Sequence, residues 1–244
     1  MFKPDQIENI LFLDIETAPM APSFEALPER FQKLWRLKAQ RYLRTDTSMT
    51  AEELFFEKAG IHAEFARVVC ISFGYLQFQG EHEAHLWLRS VYKGEEKQIL
   101  QDFGRILDRF ITGKPNRQLC AHNGKEFDFP FLGRRYLVQG LPLPVALRVQ
   151  GKKPWELPFL DTMDLWKFGD YKEYTSLDLL AAIFNVPSPK EEMDGSQVAP
   201  AFWVQQDVER IRTYCEKDVE TTIRVLLGMS QLEVKLIPKE PEAA

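Results

Sequence analysis

The chain is poor in cysteine and histidine, has no excess of positive charge and no long apolar run, and each shortage excludes something. Three cysteines, Cys70, Cys120 and Cys215, stand among 244 residues. Their odd number and the lack of any CxxC spacing rule out a disulfide framework and a cysteine-type zinc site. They point to a reduced, cytoplasmic setting in which each thiol is a small buried hydrophobe. Four histidines, His62, His82, His85 and His122, show no zinc-ligand spacing; His122 ends a strand and reads as a satisfied structural histidine more readily than as a substrate contact. No stretch approaches the roughly 20 apolar residues of a membrane span, so no membrane partner is expected. The short N-terminal apolar run is broken by Asp14 and lacks the pattern of a signal peptide. A net charge of −5 argues against coating nucleic acid through bulk electrostatics. No Gly-rich phosphate loop, GxGxxG fingerprint or GxSxG elbow is present.

What is there is an ordinary apolar content of 45%, enough for a full core in one domain spanning 1–244. Ile10–Ile15 is nearly continuous apolar, as in a strand covered on both faces. Arg67–Phe78 and Glu83–Leu88, separated by a Gln79-Gly80-Glu81 turn, complete an antiparallel meander. Helix and strand then alternate: a helix over Lys97–Ile111, a strand over Gln118–His122, a helix over Phe129–Gln139 stopped by Gly140, and a fifth strand over Phe159–Leu165. Helices follow over Ser176–Phe184 and Val208–Leu227. This order predicts an α/β fold with a mixed five-stranded sheet, the meander plus two parallel strands, flanked by helices. Residues 19–64 form an insertion after the first strand, expected to be helical because Thr50 and Glu53 have capping-box spacing. Residues 229–244 read as a tail that frays beyond Pro238.

Asp14 and Glu16, two apart on a strand, share one face while Ile15 takes the other. Two carboxylates at the end of a buried strand are costly unless a cation neutralises them; the plain alternative is that the strand has ended and both are solvated. Asp128, in Phe127-Asp128-Phe129-Pro130, reads by itself as a helix N-cap. Tyr214 and Asp218, four apart on the last helix, stack on the border of an apolar stripe formed by Val208, Ile211, Cys215, Val219, Thr222 and Leu226. Taken alone, that pair is equally well boundary packing with a solvated acid. Asp161 and Asp164 are an odd number of strand positions apart, so at most one faces a cleft. Jointly the acids suit Mg²⁺ or Mn²⁺, which prefer hard oxygen ligands.

Three segments resemble the motifs of the DEDD (DnaQ-like) 3′–5′ exonuclease superfamily. Asp14-Ile15-Glu16-Thr17 matches the first. Asn123 through Leu132 is similar to the second as found in the proofreading domains of family-B DNA polymerases. Tyr214-Cys215-Glu216-Lys217-Asp218 matches the tyrosine form of the third, the DEDDy subgroup, and stand-alone bacterial exonucleases are the nearest in kind. The resemblance implies an RNase H-like fold and release of 5′-mononucleotides from the 3′ end of single-stranded DNA. It implies that Asp14, Glu16, Asp128 and Asp218 hold two Mg²⁺ or Mn²⁺ ions about 3.5–4 Å apart. Tyr214, a phenol with an ordinary pKa of about 10, would orient the attacking water, and Thr17, Asn123 and Phe127 would touch substrate. Phe129 and Phe131 are further aromatic candidates for stacking, with core packing the competing role. The same motifs suit a 3′–5′ exoribonuclease of RNase D type, so RNA is a possible substrate, and a non-catalytic 3′-end-binding module is the third reading. A polymerase or repair partner is left open.

One segment runs against the overall charge. Arg30, Lys33, Arg36, Lys38, Arg41 and Arg44 fall within 15 residues that contain no acid. Either they form a solvated helix face over Leu34, Trp35 and Leu37, or they track the substrate backbone beside the cleft. A second basic group, Arg134, Arg135, Lys152 and Lys153, is the other candidate path.

Overall fold

A computed structural model of the protein describes residues 1–44, 48–114, 116–170, 174–187 and 193–239. After a short helix α1 (Pro4–Ile7), the expected strands appear as β1 (Ile10–Pro19), β2 (Ala66–Phe78), β3 (Glu83–Val91), β4 (Gln118–Ala121) and β5 (Phe159–Asp161). A sixth, β6 (Lys235–Lys239), lies in the segment expected to be a tail and pairs parallel with β3. The sheet order is β5-β4-β1-β2-β3-β6. β1–β2 and β2–β3 are antiparallel, and β1–β4 and β4–β5 are parallel. Pro238 fits there because β6 is an edge, where a missing N–H costs no ladder bond. Residues 240–244, the rest of the expected tail, lie outside the described residues.

β1 does not end at its acids but continues through them to Pro19, with Glu16 buried. Its pairing with β2 shifts register after Glu16: Glu16 faces Cys70 and Thr17 faces Val68. Val69 is thereby the extra residue of a bulge, a device that re-aims side chains beside sites. Alternation along β1 divides the core. Leu11, Leu13 and Ile15 pack with Phe103, Leu107 and Phe131; these belong to helices α4 (Glu96–Ile111) and α5 (Asp128–Val138). Phe12 packs on the opposite face against Val219 and Ile223, from the long last helix, which spans Val208–Met229.

The insertion is helical as its capping box indicates. It holds α2 (Glu29–Leu43) and α3 (Ala51–Lys58), the latter capped reciprocally by Thr50 and Glu53. Trp35, fully buried, packs edge-on against Phe55 and Phe65 and donates its indole N–H to the Ala51 carbonyl at 2.7 Å. Leu34 and Leu37, by contrast, are exposed. The insertion closes onto the far end of β1: the Thr17 hydroxyl donates to the Gly60 carbonyl at 2.7 Å, and the Met20 amide donates to the Phe65 carbonyl at 2.8 Å.

The expected fifth strand is shorter than its apolar run, because Asp161 accepts from the Met163 amide and starts a helix over Thr162–Lys167. A further short helix spans Leu177–Ile183. No helix among the described residues is long and apolar enough to cross a membrane.

Candidate active site

Three elements from distant parts of the chain bring their acids together. β1 carries Asp14 and Glu16 on the face covered by the last helix, and that helix presents Tyr214, Cys215 and Asp218. The Cys215 thiol donates to Asp14 Oδ2 at 3.3 Å. Asp128 enters from the other side of the sheet. β4 pairs only with Ile10–Phe12 of β1, so that edge of β1 is open beyond Phe12. The Ile15 N–H there is met by Asp128 Oδ1 at 3.1 Å. Asp128 is therefore not the helix cap that its local sequence suggests: Phe127 holds the cap position, and the Asp128 carboxylate faces the strand.

Electrostatics bind the set into one unit. Burial, then Glu16, Asp218 and Asp128, raise the Asp14 carboxyl well above its ordinary value. Burial, then Asp218, Cys70 and Asp128, do the same to Glu16. Asp128 is pushed up to about 7, chiefly by burial and further by Asp161 and Asp218, against hydrogen bonds that favour its charged form. Four carboxyl groups that repel one another in a desolvated place are what a divalent cation would relieve. Asp14, Glu16 and Cys215 offer donor atoms all within 4.8 Å of one another. The Cys215 thiol is held neutral by burial and by Cys70, which suits a hydrogen-bond donor to Asp14 better than a ligand for a hard cation. Tyr214 is buried and hydrogen-bonds Asp218. Its hydroxyl is pushed above its ordinary pKa, first by burial and then by Asp218, Glu16 and Asp14.

The loop between β4 and α5 is fixed by a residue that sequence reasoning left ambiguous. Asp161, 1% exposed, accepts from the amides of Asn123 at 2.9 Å and Lys125 at 3.0 Å. It is thus a pin for this loop and a cap for the next helix. Asn123 adopts φ 59°. Gly124 is required beside it, since a Cβ there would lie 2.4 Å from the Ala121 Cβ. The Asn123 Oδ1 is buried without a hydrogen-bond partner among the described residues. His122 is satisfied within the fold: Nε2 donates to the Thr175 carbonyl at 3.0 Å, so Nδ1 accepts from the Thr162 hydroxyl at 2.9 Å. Burial lowers its pKa, consistent with that neutral form.

The remaining expected residues divide. The proton of the Thr17 hydroxyl is committed to Gly60. Phe129 stacks on Phe159 at 4.2 Å and Phe131 is buried, so both belong to the core. Phe127 is half-buried against Phe131, with ring centroids 5.3 Å apart. Arg135 is not available to a nucleic acid. It is 4% exposed and forks onto Glu96 through Nε at 2.8 Å and Nη2 at 2.6 Å. Sequence reading missed Glu96, Cys215 and Asp161 as supports of the site; Asp161 falls within a run that reads as strand, and its helix over Thr162–Lys167 shows only in the structure.

A family model described as "Predicted 3'-5' exonuclease related to the exonuclease domain of PolB" matches residues 60–243. That stretch contains Asp128, Tyr214 and Asp218 but not Asp14 and Glu16, which the fold brings to them. Among solved structures, the family B DNA polymerase from the hyperthermophilic archaeon Pyrobaculum calidifontis is similar at 15% identity and a TM-score of 0.49. The alignment covers 91% of this chain and 24% of that one, so the chain spans about a quarter of the polymerase's length. With about three quarters of its residues matched by the family model, the chain belongs to the family of predicted 3′–5′ exonucleases related to the exonuclease domain of PolB.

Proposed function

We propose that the protein is a DEDDy-type exonuclease, of the stand-alone bacterial kind, that removes 5′-mononucleotides from the 3′ end of single-stranded DNA. The observation that carries this reading is the convergence of Asp14, Glu16, Asp128 and Asp218: Asp218 and Asp128 raise both Asp14 and Glu16, Glu16 raises Asp14, and Asp218 raises Asp128. Their oxygen donors and mutual repulsion fit two Mg²⁺ or Mn²⁺ ions, held by these four carboxylates. When bound, such ions supply a nucleophile at neutral pH and stabilise charge on attacking and leaving oxygens.

The protein's own groups do the positioning. Tyr214, kept as a neutral phenol and anchored on Asp218, cannot serve as a base and orients the attacking water through its hydroxyl. Asp161 holds the Asn123 loop, and the Asn123 amide oxygen, unmet among the described residues, would accept a hydrogen bond from the substrate sugar. Phe127, the half-buried ring of its group, is the aromatic left for a terminal base.

Labelled single strands of DNA and RNA, incubated with Mg²⁺, Mn²⁺ or chelator, test the proposal. Stepwise metal-dependent shortening of DNA from the 3′ end is expected. Shortening of RNA alone would reassign the protein as an exoribonuclease. Equal cleavage of circular and linear strands, or full hydrolysis in chelator, would overturn the reading.

A further inference from the structure

Away from the carboxylates, on the opposite face of the sheet, a groove runs between the β2–β3 pair and the end of α4. It comprises two adjoining cavities of about 340 and 300 Å³ that share Phe73, Tyr75, Ile106 and Arg109. Tyr75 and Trp87 are cross-strand partners whose rings stack with centroids 6.1 Å apart at 9°. Arg89, Arg109, Lys114 and Arg117 line the same groove, and no acidic residue does. Arg117 is half-buried over the Phe110 ring and donates to the Glu8 carbonyl at 2.9 Å. The other three cations are exposed, and none of them has an ion-pair partner among the described residues. The Trp87 indole N–H is buried and has no acceptor among the described residues, so what Trp87 offers the groove is its ring face. In a chain of net charge −5, a solvated face ordinarily mixes both signs. Unopposed cations around a stacked aromatic pair instead match what a single strand offers: phosphates at regular intervals and bases with π-faces.

Its position excludes the groove from the catalytic cluster. Cys70 is the β2 partner of Glu16, and Tyr75 lies five residues further along β2, roughly 17 Å at about 3.4 Å per residue. It also packs on the α4 side, whereas Asp14 lies under the last helix. We propose that this groove is a second binding track for single-stranded polynucleotide, engaging nucleotides upstream of the 3′ end. The assignment of upstream nucleotides rests on the exonuclease reading; the occupancy of the groove does not.

Binding measured in chelator, where nothing is hydrolysed, separates the two. Oligodeoxythymidylate and oligouridylate of about 4 and about 16 nucleotides bracket the size of common single-strand sites. Wild-type protein is expected to bind the longer strand more tightly. In Arg89→Gln/Arg109→Gln/Lys114→Gln, shown by melting to be folded, that length advantage should shrink markedly. The log–log salt slope should flatten by about 2, at about 0.7 per neutralised phosphate. Tryptophan quenching by the long strand should be lost in Trp87→Phe. A length advantage in either the DNA or the RNA arm supports the track and identifies its ligand. An unchanged advantage and slope in the triple variant would overturn it, as would displacement by polyglutamate as effective as by oligonucleotide. If the charges govern binding but no strand is ever shortened, the groove stands and the exonuclease reading falls.

Discussion

The Ile15 amide and the Asp128 carboxylate, 113 positions apart, meet at 3.1 Å and join the first strand to the start of α5. The bond gives Asp128 two separable roles, as an acceptor for an open strand edge and as a charge in the acidic cluster. Asp128→Asn keeps an acceptor and removes the charge; Asp128→Ala removes both and leaves a buried N–H unmet, at a cost of about 1–3 kcal/mol. In chelator, the Asn variant is expected to melt above the Ala variant, and both are expected to lose hydrolysis. Equal melting temperatures would confine Asp128 to its charge.

The ionisation of Asp128 sets a pH dependence. Its carboxyl rises from 3.8 to about 7 on folding, so between those values the folded chain holds a proton that the unfolded chain has lost. That group's contribution to stability therefore falls as pH rises through the window and is constant below it. His62, lowered from 6.5 to about 4 mainly by burial, works in the opposite sense, whereas Asp14 and Glu16, raised like Asp128, work in the same sense, so the raw melting curve mixes them all. The gap in melting temperature between Asp128→Asn and wild type cancels His62 and reports the Asp128 carboxyl together with its repulsion of Asp14 and Glu16. In chelator it should widen from pH 4 to pH 7 and close on addition of Mn²⁺. A gap independent of pH would show that Asp128 is already ionised at pH 4.

Tyr214→Phe removes a hydroxyl that rests on Asp218, whereas Asp14→Ala and Asp218→Ala remove charge. The phenylalanine variant is expected to lose roughly 10²-fold in kcat, the lower end for positioning and acid–base groups, while the aspartate variants are nearly inactive. Because the phenol is held neutral above its ordinary range, the wild-type pH–rate profile should show no alkaline limb that disappears in Tyr214→Phe. Such a limb would make Tyr214 a base after all.

Much of this was legible in the sequence, and the rest was hidden for physical reasons. Continuous apolar runs marked β1 and β2, and period-two spacing put Asp14 and Glu16 on one face. Thr50 and Glu53 announced α3. β6 was hidden because Lys-Leu-Ile-Pro-Lys carries neither alternation nor an apolar run; only its partner β3, some 150 residues away, makes it a strand. The extent of β5 was misread for a similar reason, since Asp161 becomes a cap only when its own helix folds back. Arg135 reads as a surface cation until Glu96, 39 positions earlier, is placed beside it.

That buried pair makes its own prediction. Glu96 Oε1 also accepts from the Val68 amide at 2.9 Å, and Arg135 Nη1 donates to the Ala63 carbonyl at 2.7 Å. Four segments, including the end of the insertion and the helix that carries Asp128, meet at one fork. Removing one partner strands the other charge, so Glu96→Ala or Arg135→Ala should each destabilise by about 3–5 kcal/mol. A fork of this kind supports the site without touching substrate, so partial activity should survive below the lowered melting temperature. A loss under about 1 kcal/mol in denaturant titration, the range of exposed ion pairs, would mean that the fork is solvated in solution.

We propose that the basic helix α2 borders the substrate backbone, since the insertion that carries it docks through Gly60 on Thr17, the residue after Glu16. Its charges are not equivalent. Lys33 pairs with Glu29 at 2.6 Å and Arg36 with Glu52 at 2.9 Å. Arg41 lies against Tyr42 and His62 at 2.8 and 2.9 Å. Arg30, Lys38 and Arg44 have no ion-pair partner among the described residues and are the ones left for phosphates. Every phosphate that a variant no longer neutralises flattens the log–log salt dependence of single-strand binding by about 0.7. Arg30→Gln/Lys38→Gln/Arg44→Gln should therefore reduce that slope by about 2 and raise KM at moderate salt. At saturating substrate, kcat should change little, since none of the three is among the charges that shift Asp14, Glu16 or Asp128. Lys33→Gln, whose charge is already engaged by Glu29, should move the slope far less. Equal effects from Lys33 and from the unpaired set would show that α2 acts only through its total charge, and an unchanged slope in both would leave it a solvated face.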